Sequence, residues 1–386
     1  MLAAQSRASA APAFTLASAC LRSDLESNRT ASGTLSTISP PRHPLHTPPR
    51  NLPGRLVAVS RLVSAALLLA ACSSATDSGT GPPPPSQQPT HPGGTIAQRV
   101  PVAGGVVGIA ITKAGTMIIS RYDSNDVVFG NVDSLTISGE LPIGLHPDYV
   151  ALSPDERTAY VTNYGTPTVA IIDVASRQQT GVLTVADAPR RILVTPDGNR
   201  VYISNSGHGA DSTAVVYDFD AHTRILLDTI IVGIKANGIA FDSVHSKLYV
   251  TSVDAGKIFE IDANADTVTR VLETGAVLQE VVLVPDRSEL WVADELTGVR
   301  IFDLSSGVQV GTVPMTTFAV TLAPTPDMTQ LYETAAGDTT VAIIDIAQRR
   351  VVKSLNIGGS PQMVAFDALG SRAVIVEPFS GLVLVR

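Results

Sequence analysis

From residue 95 onward the chain repeats one pattern about every 42 residues, and few folds can use such a repeat. The clearest copy is Tyr160-Val-Thr-Asn163 followed by Val169-Ala-Ile-Ile-Asp173. Matching pairs are Tyr202-Ile-Ser-Asn205 with Val215-Val-Tyr-Asp218, Tyr249-Val-Thr-Ser252 with Ile258-Phe-Glu-Ile-Asp262, Trp291-Val-Ala-Asp294 with Val299-Arg-Ile-Phe-Asp303, and Tyr332-Glu-Thr-Ala335 with Val341-Ala-Ile-Ile-Asp345. The aspartates at 173, 218, 262, 303 and 345 lie 45, 44, 41 and 42 residues apart. Ile118-Ile-Ser-Arg121 lies one period upstream and Val374-Ile-Val-Glu377 one period downstream, which makes seven copies.

Each copy reads as four strands. An alternating run such as Tyr149-Val-Ala-Leu-Ser153 leads to a Pro-Asp turn, as at Pro154-Asp155, Pro196-Asp197-Gly198, Pro285-Asp286 and Pro326-Asp327. The Tyr-Val-Thr-Asn strand follows, then the Val-Ile-Asp strand, then a fourth such as Gln179–Val185. Val, Ile, Thr and Tyr suit a pleated surface, while Pro presets φ and Asp caps the turn. Four strands per copy at this period predict an all-β, seven-bladed β-propeller, each blade four antiparallel strands. The last copy stops at Arg386 without its fourth strand, and Ile96–Gly105 resembles the fourth strand Val351–Gly359. Residues 95–102 are therefore expected to close the final blade from the N-terminal side, removing a sheet edge that invites aggregation.

The Tyr-Val-Thr-Asn repeat with its Pro-Asp-Gly turn resembles the YVTN family of β-propellers, found in surface-layer and other cell-envelope proteins and related in fold to lactonase-type propellers. The resemblance covers residues 95–386 and implies a fold, since this family shares no single activity and a propeller dictates none.

In a propeller the innermost strands line a channel and the loops that lead into them ring one mouth. By repeat position the mouth residues are Val107, Asp148, Arg190, Asn237, Gln279, Ala319 and Gln362, flanked by Arg191 and Glu280. The ring is polar with mixed charge, and that favours a binding mouth over the convergent carboxylates or His/carboxylate set an enzyme or metal site needs. No metal site and no cofactor are expected. The longest loop between second and third strands, Ser206–Ser212, offers His208 and Asp211 as candidate ligand contacts on the same face. Tyr122-Asp-Ser-Asn-Asp126 lacks the spacing of a calcium loop and reads as a polar turn, and Trp291 at the repeated Tyr place reads as blade packing.

The N-terminal quarter differs in kind. Residues 1–72 hold seven Arg, no Lys, and only Asp24 and Glu26, a net of +5, whereas the whole chain of 386 residues carries −8. The remainder therefore carries −13, which argues against a nucleic-acid partner. Residues 1–50, rich in Ala, Ser, Thr, Pro and Arg without apolar period, read as a disordered extension. Within 51–71, Arg61 precedes ten mostly apolar residues, 62–71, too short to span a bilayer and shaped like a signal-peptide core. Leu69-Ala-Ala-Cys72 resembles the lipobox of bacterial lipoproteins, which implies lipid attachment at Cys72. Residues 72–94, with Pro82–Pro85 among Gly and Ser, read as a tether. Because no Met stands between Met1 and Met117, translation is expected to start at a non-Met codon near Leu52–Val57.

Together these features predict a lipid-anchored envelope lipoprotein facing the periplasm or the cell exterior. Its membrane contact is Cys72, and its propeller is a scaffold that binds an envelope protein, a glycan or a small ligand through its loop-rich face. The alternatives are a lactonase- or quinoprotein-like enzyme at the channel mouth and a structural surface-layer component.

Overall fold

Alternating β-branched and aromatic residues between Pro-Asp turns and Asp-capped turns leave the chain one economical outcome, a series of short antiparallel meanders. The computed structural model describes residues 91–386 apart from 187, 208–212 and 316–317. The expectations placed on residues 1–50, on 51–71, on Cys72 and most of the tether, and on His208 and Asp211 lie outside the described residues.

The described chain forms seven four-stranded antiparallel sheets. Blades 1 to 6 occupy residues 106–142, 147–184, 189–234, 236–273, 278–314 and 318–356 in chain order. The innermost strands pack against one another in that order, and the seventh returns to the first. Blade 7 is built from Met363–Phe366, Ala373–Glu377 and Gly381–Val385, and its outermost strand is Ile96–Val100. The clasp is antiparallel, pairing Arg99 with Val383 and Val100 with Leu382, and Thr95 and Arg386 exchange two backbone hydrogen bonds of 2.8 and 2.9 Å. The segment before it is packed too, since the Tyr332 hydroxyl donates to the Pro92 carbonyl and the Lys353 ammonium to that of Gly93.

The core is distributed into seven apolar seams, one between each pair of neighbouring blades. Period-two alternation on the second strand explains this. Tyr160 packs against blade 3 with Ile192, Val201 and Ile203, while Val161 packs against blade 1 with Ile118, Val127 and Phe129. The buried Tyr202, Tyr249, Trp291 and Tyr332 stand at the same place as Tyr160. Trp291 is fully buried and donates its indole N–H to Glu289 at 3.0 Å.

The third residue of the repeated tetrapeptide does something its sequence position did not announce. The Thr162 hydroxyl accepts from Tyr149 N at 2.9 Å in its own blade and donates to the Arg190 carbonyl of the next at 3.1 Å. Ser120 bridges Gly108 N to Asp148 O, Ser204 bridges Arg191 N to Asn237 O, and Thr251 bridges Gly238 N to Gln279 O. Thr334 donates likewise to Gln362 O. These hydroxyls stitch successive innermost strands together. Blades 5 and 7 carry Ala293 and Val376 at that place, so their seams with blades 6 and 1 rest on apolar packing there. Close approach of neighbouring backbones explains Gly108 and Gly238, where a Cβ would run into the Asp148 and Gln279 carbonyl oxygens.

Two repeat positions depart from the pattern. Asp173, Asp262, Asp303 and Asp345 each accept backbone N–H groups in the turn after the third strand. Asp218 does not. Blade 3 runs its third strand two residues longer, Asp220 pairs with Arg200 as Asp173 does with Thr158, and Asp220 caps the turn through His222 and Thr223 N–H. The true spacings are therefore 47 residues from 173 to 220 and 42 from 220 to 262. Asp218 is buried against Arg200 instead. In blade 6, Glu333 stands where the other second strands carry Ile119, Val161, Ile203, Val250, Val292 and Ile375. Only 1% of Glu333 is exposed, and its Oε1 has no hydrogen-bond partner.

Candidate functional site

The mouth is shaped by a β-bulge. In six blades the innermost strand carries one extra residue near its start, as between Pro147 and Val150 opposite Asn163 and Val161. The residue after the first paired position escapes the ladder and turns into the channel. This places Val107, Asp148, Arg190, Asn237, Gln279 and Gln362 on one cavity of about 140 Å³, with Arg191. In blade 6 the register is offset by one from the sequence expectation. Ala319 pairs with Ala335 and is buried, as Pro147 pairs with Asn163, and Val320 with Thr321 lines the cavity instead.

Loops between second and third strands complete the wall with Tyr122, Asp123, Tyr164, Pro378 and Phe379. These were missed in the sequence, although a signal existed: Tyr164 directly follows the tetrapeptide ending at Asn163, and Pro378 directly follows Glu377. A second lobe opens between blades 3, 4 and 5, sharing Arg190, Asn237 and Gln279 and adding Lys235, Asp254 and Glu295.

The charges at the mouth are organised in depth. Deepest is Arg191, buried, whose Nε donates to Glu280 Oε2 at 2.7 Å across the intervening blade 4. Its guanidinium lies 4.7 Å from the centre of the Tyr149 ring, a cation–π contact. Burial disfavours the Arg191 charge, but the carboxylates of Glu280 and Asp148 outweigh it and raise its pKa further. Burial, then the Glu280 charge, pushes the Tyr149 hydroxyl up to about 12. Glu280 therefore lies behind the cavity wall as the counter-ion of Arg191.

Higher up, Arg190 lies 4.7 Å over the Tyr164 ring and 3.9 Å from Asp148 Oδ2. Asn237 donates its side-chain amide to Gln279, which in turn donates to Glu295. Burial, reinforced by Asp294 and Asp254, raises the Glu295 pKa against the lowering effect of that amide. The side-chain amide of Gln362 makes long contacts, 3.4 Å, to Ser360 among the described residues. Opposite the charged arc, Val107, Val320, Met363, Pro378 and Phe379 from blades 1, 6 and 7 form an apolar arc.

The mouth thus joins six of the seven channel residues expected from sequence, with Glu280 directly behind them. Among the described residues no group of three or more His, Cys, Asp or Glu is placed to hold a metal ion.

A ring of seven blades, closed by the strand Ile96–Val100 and opening on the cavity lined above, defines a seven-bladed β-propeller. No family model matches the chain, and no curated protein matches it. Among solved structures it is similar to hydrazine synthase of Kuenenia stuttgartiensis, with a TM-score of 0.67 and 18% identity over 75% of this chain and 97% of that one. At that identity the likeness is one of fold.

Proposed function

We propose that the chain is a lipid-anchored, YVTN-type propeller of the cell envelope that binds a ligand at the channel mouth. The observation that carries the binding role is the cavity itself. Side chains from all seven blades converge on it, and its polar groups are held in place, Asn237 and Gln279 by an amide chain that ends on Glu295 and Arg190 by the Tyr164 ring. Two carboxylates of the mouth face arginines, Asp148 with Arg190 and Glu280 with Arg191, so these two act as counter-ions more readily than as an acid–base pair. That arrangement supports a binder over the lactonase- or quinoprotein-like alternative. The anchor rests on Leu69-Ala-Ala-Cys72 behind its apolar run, and the tether on the Pro/Gly/Ser stretch that follows. Several acyl chains at Cys72 would hold the protein on a membrane that a single chain holds only marginally.

The two halves have separate tests. Expressed in a bacterium, the full chain should fractionate with membranes and require detergent for release, and Cys72→Ser should move it to the soluble fraction. Unchanged membrane retention of C72S removes the anchor. A thermal-shift screen of sugars, peptides and small metabolites should give hits that Asn237→Leu weakens; hits indifferent to every mouth substitution remove the binding role.

A further inference from the structure

Among the described residues Arg190 is a mouth cation held in place by a ring and a carboxylate, with the donors of its guanidinium open. Its side chain is 25% exposed, it forms part of both lobes, and among the described residues nothing accepts a hydrogen bond from its guanidinium. The Tyr164 ring packs 4.7 Å from the guanidinium, and Asp148, at 3.9 Å, balances its charge without occupying its donors. A guanidinium presented in this way has the geometry for a bidentate partner with two coplanar oxygens.

The surroundings narrow the partner further. Asp123 and Asp148 line the same cavity, so every negative charge on a ligand meets repulsion; one is offset by charge-assisted bonds from the open Arg190 donors, whereas the second charge of a phosphate dianion is not. Asn237 and Gln279 stand beside Arg190 on the polar arc. Across the cavity, Val107, Val320, Met363 and Phe379 offer only apolar surface. At about 140 Å³ the cavity is smaller than the ~300–1,000 Å³ of pockets that take drug-sized molecules.

We propose that the mouth recognises a small amphiphilic monocarboxylate. Its carboxylate lies on the fork of Arg190, and its short apolar body lies against blades 6, 7 and 1. This rests on the mouth being a binding site and names the chemistry that it selects. The carboxylate belongs either to a free acid or to the C-terminus of a polypeptide ending in an apolar residue.

The test is ligand-observed NMR and calorimetry on the full chain with phenylacetate, phenylacetamide, acetate, inorganic phosphate, and a short peptide ending in phenylalanine as free acid or C-terminal amide. Phenylacetate should bind, and the isosteric amide should bind about ten- to a hundredfold more weakly, the worth of a charge-assisted pair. Phosphate should not compete. Arg190→Gln should abolish the preference for acid over amide, and Arg190→Lys should retain only part of it. Val320→Asp should weaken phenylacetate through the opposite wall, an independent check should the arginine variants fold poorly. A free-acid peptide that outcompetes phenylacetate identifies a polypeptide terminus as the source, and the reverse order identifies a small acid. Equal affinity for acid and amide, unchanged in R190Q, overturns the carboxylate assignment and leaves the mouth a binding site. If none of these probes and no fragment of any charge reaches the cavity, the binding reading itself falls, and this inference with it.

Discussion

Replacing Glu333 with valine should stabilise the propeller at neutral pH, although it removes an acidic residue. Glu333 occupies a seam position that six other blades fill with Ile or Val, and one of its oxygens is buried without a partner. Burial, then the nearby Asp338 charge, pushes its carboxyl from an ordinary value near 4.5 up to about 8. The folded protein therefore keeps this proton where the unfolded chain releases it. Stability is lost as pH rises from 4.5 toward 8, at ~1.4 kcal/mol per pH unit, and the loss levels off above 8. At pH 7 the penalty comes to about 3 kcal/mol, to order of magnitude, and valine, which fits this place in blades 2, 4 and 5, removes it. Denaturant unfolding of the wild type, Glu333→Val and Glu333→Gln at pH 5, 7 and 9 measures it. The advantage of valine should be small at pH 5 and grow to pH 9, with glutamine flattening the pH dependence while retaining a buried polar group. An advantage independent of pH, or a valine variant less stable at every pH, refutes the reasoning.

Removing Glu280 should have the opposite sign, because it strands the buried Arg191 charge; Glu280→Ala is expected to cost about 3–5 kcal/mol in the same unfolding assay, with any loss below 1 kcal/mol counting against the buried pair. Thr162→Val keeps the volume but cuts the stitch between blades 2 and 3, for a loss of about 1–2 kcal/mol, whereas Val at that place is native in blade 7 as Val376. Deleting residues 95–102 opens the outer edge of Gly381–Val385 and forfeits the clasp, so the melting temperature should fall steeply or cooperative unfolding should vanish; an unaltered melting curve would mean that the ring does not depend on the clasp.

The blade count, the strand order and the clasp were legible because each rests on period. Residues recurring near every 42 positions fixed the copies, alternation fixed the faces, and the absent fourth strand of the last copy pointed to Ile96–Val100. Legibility failed where length varied inside a copy. Blade 3 lengthens its third strand, so an Asp in the expected place, Asp218, became a buried ion-pair partner and Asp220 took over the turn. Blade 6 slid by one residue because Ala319 looks no different from a mouth residue until its pairing with Ala335 is known. The ion pair between Arg191 and Glu280 was out of reach for another reason: 89 residues separate the partners, and only ring closure brings them together across blade 4.

The stitches explain why a mouth this varied can sit on a ring this regular. Each hydroxyl of the second strand holds the backbone carbonyl of the next blade's mouth residue, as Thr162 holds Arg190 and Ser204 holds Asn237, and leaves the side chain alone. The bulge frees that same residue from ladder pairing. Position is thus fixed through the main chain, and the side chain is left open to Val, Asp, Arg, Asn or Gln without strain on the fold. The adjacent position has less freedom. It holds Gly108 and Gly238 where backbones touch, and Tyr149, Arg191 and Glu280 where a buried charge must be matched. Specificity can therefore change at the first position with little effect on stability, while changes at the second should register in folding before they register in binding.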